Sequence, residues 1–254
     1  MQTQLVLPHN EAHLWLVQLN EVAPVCLETY WDLLSDDEKE GAARLVSEAG
    51  RNAFVTAHAL VRITLSRYAT IAPREWSFAS NAYGRPRVCQ PSFCDLDFNL
   101  AHTNGIAVCL VGRGIVGVDV EDLFRHPPLD VADQFFSAIE VQTLMQLPID
   151  LQPRRFYEYW TLKESYIKAR GLGLSLPLDR FAFDLDTERA PRISFFPPIE
   201  DDASRWQFTL LTPTPRHLVA VALSDRLRDI HIVTREVARS SLDKWGKEPQ
   251  GVAR

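Results

Sequence analysis

The residues with the most chemical content lie in two short runs. The first, Gly117-Val118-Asp119-Val120-Glu121-Asp122, reads as a strand. Side chains alternate faces along a strand, so Asp119 and Glu121 share one face and Val118 and Val120 turn to the other. Two adjacent carboxylates repel unless a cation lies between them, and hard oxygen donors suit Mg2+ or Mn2+. Two solvated acids at a strand end are the plainer reading of the same residues. The second run, Trp160-Thr161-Leu162-Lys163-Glu164-Ser165-Tyr166-Ile167-Lys168, has helical character. Trp160, Glu164 and Lys168 stand at i, i+4 and i+8 and form one stripe. The stripe is either an ion pair beside a packed Trp, or a third carboxylate for the Asp119/Glu121 pair with Lys168 to neutralise phosphate charge. Mg2+ held by a few carboxylates and substrate phosphates is usual at phosphoryl sites.

His102 is a third candidate, in Phe98-Asn99-Leu100-Ala101-His102-Thr103-Asn104. A hairpin between His102 and Asp119 would bring both to one end of a sheet, where an imidazole can donate to an anionic oxygen. A hydrogen-bonded structural His is the competing reading. The cations are also local. Arg85 follows a Gly in a proline-bounded loop, Arg51, His58 and Arg62 share a helix, and Arg154, Arg155, Lys163, Lys168 and Arg170 share another with only two acids, Glu158 and Glu164. In a chain of net charge −6 such an excess marks a solvated face or an anion-binding surface.

These residues need a scaffold, and the pattern supplies one. A strand is expected at Ala12–Asn20. Ser35 with Glu38 makes a capping box that opens a helix to about Glu48, with Gly50 at its C-terminal end. A second helix runs from Arg51 to about Tyr68, and prolines 73, 86 and 91 mark an irregular stretch. Strands follow at Leu96–His102, Ile106–Val111 and Ile115–Glu121, with Gly112-Arg113-Gly114 as a tight turn. Ser137 with Glu140 caps a helix to about Gln146. A long helix spans about Arg154 to Arg170 and stops at Gly171, and strands follow at Phe181–Leu185, Trp206–Leu211, Leu218–Leu223 and Asp229–Thr234. Helices and strands thus recur twice, implying an α+β fold of two similar halves, 1–115 and 116–235, with a polar tail at 236–254.

Composition excludes several classes. With 254 residues, 46% hydrophobic and 24% charged, the chain is globular rather than disordered. The acidic balance argues against a globally basic nucleic-acid binder. No apolar run approaches the ~18 residues of a membrane span, and the opening residues lack the form of a secretory signal. Cys26, Cys89, Cys94 and Cys109 show no CxxC spacing and read as reduced cytoplasmic thiols. P-loop, GxGxxG, GxSxG and HExxH motifs are absent.

Three ordered segments, FNLAHTNGIAVCLVGRGIVGVDVED, FFSAIE and FYEYWTLKESYIKARGLGLSLPL, resemble the Sfp-type 4′-phosphopantetheinyl transferases, with weaker echoes in NAYGRP and RNAFVTAHALVR. The resemblance covers about residues 50–185. It implies an intramolecular pseudo-dimer of two α+β halves with coenzyme A in the cleft between them. It also implies transfer of the 4′-phosphopantetheine group to a serine of an acyl or peptidyl carrier protein, releasing adenosine 3′,5′-bisphosphate. By motif position, the metal ligands would be Asp119, Glu121 and Glu164. Lys168 and His102 would contact phosphate, and Arg85, Arg51, His58 and Thr103 would help hold coenzyme A. The chain departs from the family pattern with Arg85 for Lys, Ala101 and Thr103 for Ser, and His58 for Arg. A cytoplasmic monomer with no membrane or nucleic-acid partner is expected. The segment Asp122–Asp150, with Leu123, Phe124, Phe136 and Leu144, is the expected carrier-docking surface. Another Mg2+-dependent phosphoryl-transfer enzyme and a non-catalytic coenzyme A- or carrier-binding protein are the alternatives.

Overall fold

Runs rich in Val, Ile and Leu form the strands, and amphipathic runs capped by Ser or Pro form the helices. The computed structural model describes residues 4–90, 96–185, 189–224 and 229–237. Cys94 and all but the first two residues of the expected tail lie outside these. In chain order the elements are β1 (Glu11–Gln18), α1 (Pro24–Leu33), α2 (Asp36–Ala43), α3 (Glu48–Leu65), β2 (Ser77–Ser80), β3 (Pro86–Gln90), β4 (Asp97–Thr103), β5 (Ile106–Gly112), β6 (Ile115–Asp122), α4 (Ala132–Phe135), α5 (Ala138–Gln146), α6 (Gln152–Arg170), β7 (Phe181–Asp184), β8 (Arg192–Phe195), β9 (Trp206–Thr214), β10 (His217–Ser224) and β11 (His231–Glu236).

The α+β expectation holds. One sheet has the order β11-β1-β5-β4 and another β6-β10-β9; β2-β3 and β7-β8 are separate ribbons. The face of the first sheet carrying Trp15 and Cys109 packs on α3 through Leu60 and Ile63. The face of the second carrying Ala220 and Ala222 packs on α6 through Leu162 and Tyr166. Between the sheets lies a third core of Leu14, Val108, Leu110, Val116, Val118, Val219 and Val221, each with no exposed surface. Each such side chain contributes roughly 1.5–3 kcal/mol on burial, so the sheets are held as one body.

Local details differ from the sequence reading. The helix after Ser35 ends at Ala43, and Ser47 caps the next one by accepting from Gly50 N–H, so Gly50 sits inside the first turn of α3 rather than closing α2. The proline-rich stretch holds the β2-β3 hairpin. Residues 231–236, assigned to the second half by a division at 115, pair parallel with β1 in the first sheet, Glu11 opposite His231. Such a pairing has no local signature, because the partners lie far apart in sequence.

Two features aim the functional side chains. On β6, Val116, Val118 and Val120 enter the central core, which turns Gly117, Asp119 and Glu121 toward α6. A Cβ on Gly117 would lie 2.1 Å from Ser165 O and 2.6 Å from Ala169 N, so the α6 backbone rests on the strand where only glycine fits. The second is Arg85. Its guanidinium is almost wholly buried; it donates to Asp97 at 2.5 Å, Ala169 O at 2.8 Å, Val116 O at 2.9 Å and also to Lys168 O. One side chain therefore ties the β2-β3 hairpin to β4, to β6 and to the end of α6. That end is closed by Gly171 at φ 65°.

Gly117→Ala should move α6 outward. We expect a loss of about 3 kcal/mol or more in urea unfolding, together with loss of the activity argued below; unchanged stability would show that α6 does not rest on this strand. A second prediction concerns α2 and α3. Glu38 accepts from Arg62 at 2.6 Å and pairs with His58 at 3.0 Å. Burial alone would raise its pKa, but hydrogen bonds from His58 and Ser35 N–H and the Arg62 charge carry it down to about 2. A lowered carboxylate pKa stabilises the fold above about 4.5, and the benefit fades as pH falls toward about 2. Glu38→Gln should therefore cost about 2–4 kcal/mol at neutral pH, with the gap to wild type closing across that acidic window in denaturation curves.

Candidate functional site

Asp119, on the inward face of β6, is 6% exposed. Its Oδ1 accepts from Lys168 Nζ at 2.6 Å, while Oδ2 is buried with no hydrogen-bond partner among the described residues. Glu121 shares that face two residues on, and Glu164 stands one helical turn before Lys168. Burial pushes both glutamates up to about 7, and the Asp119 charge is the next cause for each. Lys168, Arg125 and Trp160 counter this only in part at Glu121, as does Lys168 at Glu164. Burial would lower the Lys168 pKa, yet Asp119, Glu164 and Glu121 together raise it, so the ammonium stays charged. Three acids thus crowd one lysine on a half-buried patch.

That crowding fits a hard divalent cation, because the donors are carboxylate oxygens and one buried anionic oxygen lacks a partner. The side chains are not arranged around an ion as they stand. Among the described residues no group of three or more His, Cys, Asp or Glu is gathered into ligating positions, and Lys168 is what closes on Asp119.

One cavity opens on the patch and another includes His102 in its wall. The first, of about 420 Å³, is lined by His58, Tyr83, Arg85, Asn99, Glu164 and Lys168, and shares His58, Ser80, Pro86 and Leu100 with a neighbouring hollow walled by Phe54, Phe78 and Phe98. The second, of about 550 Å³, is lined by His102, Thr103, Asn104, Asn52, Thr56 and Arg125 among others. His102 is exposed, and its pKa is lowered by partial desolvation and then by the Lys168 charge. The residues picked out in the sequence therefore divide between two cavities: His58, Arg85, Glu164 and Lys168 line one, His102 and Thr103 the other.

Three expectations change. Arg85 lines the first cavity, but its guanidinium is turned inward and both terminal nitrogens donate to protein oxygens, so it organises the wall. Arg51 lines none of these cavities; it donates to Leu45 O at 2.8 Å and Val46 O at 3.2 Å, closing the turn before α3. The α6 cations do not form one anion-binding face. Arg154 and Arg155 pair with Glu158, Arg170 with Asp201, and Lys163 is wholly buried against Glu140, Leu178 O and Phe181 O. Trp160 and Arg125, both acting on Glu121, were missed as site residues. The i, i+4 stripe held the signal for Trp160, whereas nothing local marks Arg125.

No helix among the described residues is long and apolar enough to cross a membrane. A family model for the 4′-phosphopantetheinyl transferase superfamily matches residues 115–222, which include β6 and α6. The 4′-phosphopantetheinyl transferase Sfp of Bacillus subtilis (strain 168) is 32% identical over 158 residues, 62% of this chain and 69% of that protein. The 4′-phosphopantetheinyl transferase HetI of Nostoc sp. is 29% identical over 224 residues, 87% of this chain and 90% of its own length. A holo-[acyl-carrier-protein] synthase structure from Thermotoga maritima superposes with a TM-score of 0.36 at 20% identity over 44% of this chain and 64% of that one, too partial a likeness to bear on the fold. An identity of 32% maintained through 69% of a relative is a family relation, and the chain belongs to the 4′-phosphopantetheinyl transferases.

Proposed function

We propose that this transferase moves the 4′-phosphopantetheine group of coenzyme A to a serine hydroxyl of an acyl or peptidyl carrier protein, with Asp119, Glu121, Glu164, Lys168 and His102 as its working residues. The observation that carries the reading is the meeting of Asp119 and Glu121 from β6 with Glu164 and Lys168 from α6. The serine oxygen forms a bond to the phosphorus that carries the pantetheine. The bond to the bridging oxygen breaks, and adenosine 3′,5′-bisphosphate leaves. Mg2+ or Mn2+, held by Asp119, Glu121 and Glu164, would supply charge neutralisation at the diphosphate. Lys168 donates to the same phosphate oxygens, where its donors gain most as negative charge grows on the leaving group. His102, at the rim of the second cavity, adds a donor. Glu164 accepts the serine proton, directly or through a water. Arg85 supports this chemistry by fixing the end of α6, and His58 lines the cavity for the adenosine end.

Each of the two main sheets is covered by one long helix, α3 or α6, which supports two similar halves meeting in a pseudo-dimer. The carrier surface we propose is 122–150. There Phe124 (71% exposed), Ile139 and Ile149 face solvent, whereas Phe136 and Leu144 belong to the core. The thiols of Cys89 and Cys109 are consistent with a reducing cytoplasm, and the built-in pairing of halves with a monomer.

Glu164→Ala should lower transfer by roughly 10³-fold while its Tm stays level or rises, because the change relieves repulsion from Asp119. Lys168→Ala should lower it by roughly 10²-fold. Intact-mass spectrometry of an apo carrier after incubation with coenzyme A and Mg2+ reads the outcome. Normal turnover by folded Glu164→Ala would sink the site assignment. Coenzyme A binding without any mass gain, across a panel of carriers, would favour a non-catalytic binding protein.

A further inference from the structure

His102 stands on one sheet and the acids of β6 on the other, so no shared backbone ladder sets one against the other. Side-chain ties do it instead. Toward the start of both strands, Val116 N–H donates to Asp97 at 3.2 Å and Val118 N–H to Asn99 at 2.8 Å. Toward their ends, where His102 leaves β4 and Glu121 leaves β6, the ties run through the turn between β9 and β10. Asp122, wholly buried, accepts from Arg216 Nε at 2.8 Å and Nη2 at 2.6 Å, and from Phe124 N–H at 3.0 Å. A forked contact of this kind fixes orientation as well as distance. Arg216 O in turn accepts from Leu123 N–H at 2.8 Å.

The next residue reaches across to the other sheet. His217 Nε2 lies 2.8 Å from Asn104 O, two residues beyond His102. A carbonyl only accepts, so Nε2 carries the hydrogen, and Nδ1 accepts from the Thr214 hydroxyl at 2.7 Å. Gly105, at φ 91°, lets the turn lie against this imidazole, since a Cβ there would stand 3.3 Å from the ring. Asn104 Nδ2 adds a longer contact to Asp122 at 3.5 Å. Leu19 N–H also holds Gly105 O, at 2.9 Å, but from the chain that leaves β1, within the turn's own sheet. The His102 imidazole is exposed and makes no hydrogen bond or ion pair with another described residue. Its place relative to Glu121 is therefore inherited from the turn, and the hydrogen bonds that join the turn to the acid strand's side are those of His217 and Asn104.

We propose that His217 is a positioning residue for the transfer reaction: with Arg216 beside it, it fixes the β4-β5 turn on the end of β6 and so holds His102 beside the acids. This rests on the role proposed above for His102. A residue that acts only through another loses its effect once that other is gone, which a double-mutant cycle reads. His217→Phe keeps a ring and removes both nitrogens. It should lower transfer to an apo carrier at saturating coenzyme A by roughly tenfold, yet by less than about twofold when His102→Ala is already present. His217→Gln, whose amide can still donate to Asn104 O, should stay within about twofold of wild type. Arg216→Lys keeps the charge and gives up the fork; it should cost roughly threefold, again absorbed by His102→Ala, and it decides the matter if His217→Phe fails to fold. The rates come from intact-mass time courses of the carrier. Equal losses with and without His102 would make these contacts a matter of general stability and overturn the proposal. So would unchanged transfer by the folded variant, or a His102→Ala enzyme as fast as wild type. If the wild type loads no carrier at all, the failure lies with the proposed function, and the role of His217 falls with it.

Discussion

Confinement of three acids, Asp119, Glu121 and Glu164, to one half-buried patch is the constraint around which the rest of the molecule is arranged. On this half-buried patch burial, and after it the Asp119 charge, pushes the pKa values of Glu121 and Glu164 up to about 7, and Lys168 closes directly on Asp119. An arrangement that costs stability persists only where surrounding structure imposes it. Here the imposing structure is substantial. Valines on one face of β6 are locked in the central core, which forces the acids onto the other face, and α6 is pressed onto that face at a glycine. Under the proposed function this strain would become useful, because the acids crowded together here are the groups that would hold a cation beside a diphosphate.

The same packing explains why the two main sheets are held as one body. The sheets share an apolar core, β11 crosses back to β1, and side chains of β4 accept hydrogen bonds from the backbone of β6. Arg85 completes the join from a distant hairpin. Its substitution for lysine is then intelligible. A guanidinium presents five donors in a planar fork, enough to satisfy a carboxylate and three carbonyls at once, whereas an ammonium cannot span them. A residue that the family resemblance assigns to coenzyme A is here a strut that keeps Lys168 and the β6 carboxylates in mutual reach.

Much of this was legible beforehand, residue by residue. The capping boxes at Ser35 and Ser137 both form, β4 to β6 lie close to where alternation put them, and α6 stops at Gly171. The pairing of Asp119 with Glu121, and of Glu164 with Lys168, follows from periods of two and nearly four, which are properties of the backbone itself. The partners of Arg51, Arg85 and Lys163 were not legible, for one shared reason. A basic side chain announces its charge but not its partners, and each of these found them in carbonyls and acids brought near by folding.

Local chemistry therefore determined which residues share a face, where helices begin and end, and, through spaced motifs, the family. Tertiary structure alone decided which faces meet: that the β6 acids look at α6, that Lys168 rather than Arg85 points at them, and that His102 and Lys168 line separate cavities. The physical reason is range. Alternation, helical pitch and capping act over a few residues and are written in consecutive letters, whereas close packing at Gly117, the parallel β1-β11 pairing and the Arg85 contacts join segments scores of residues apart.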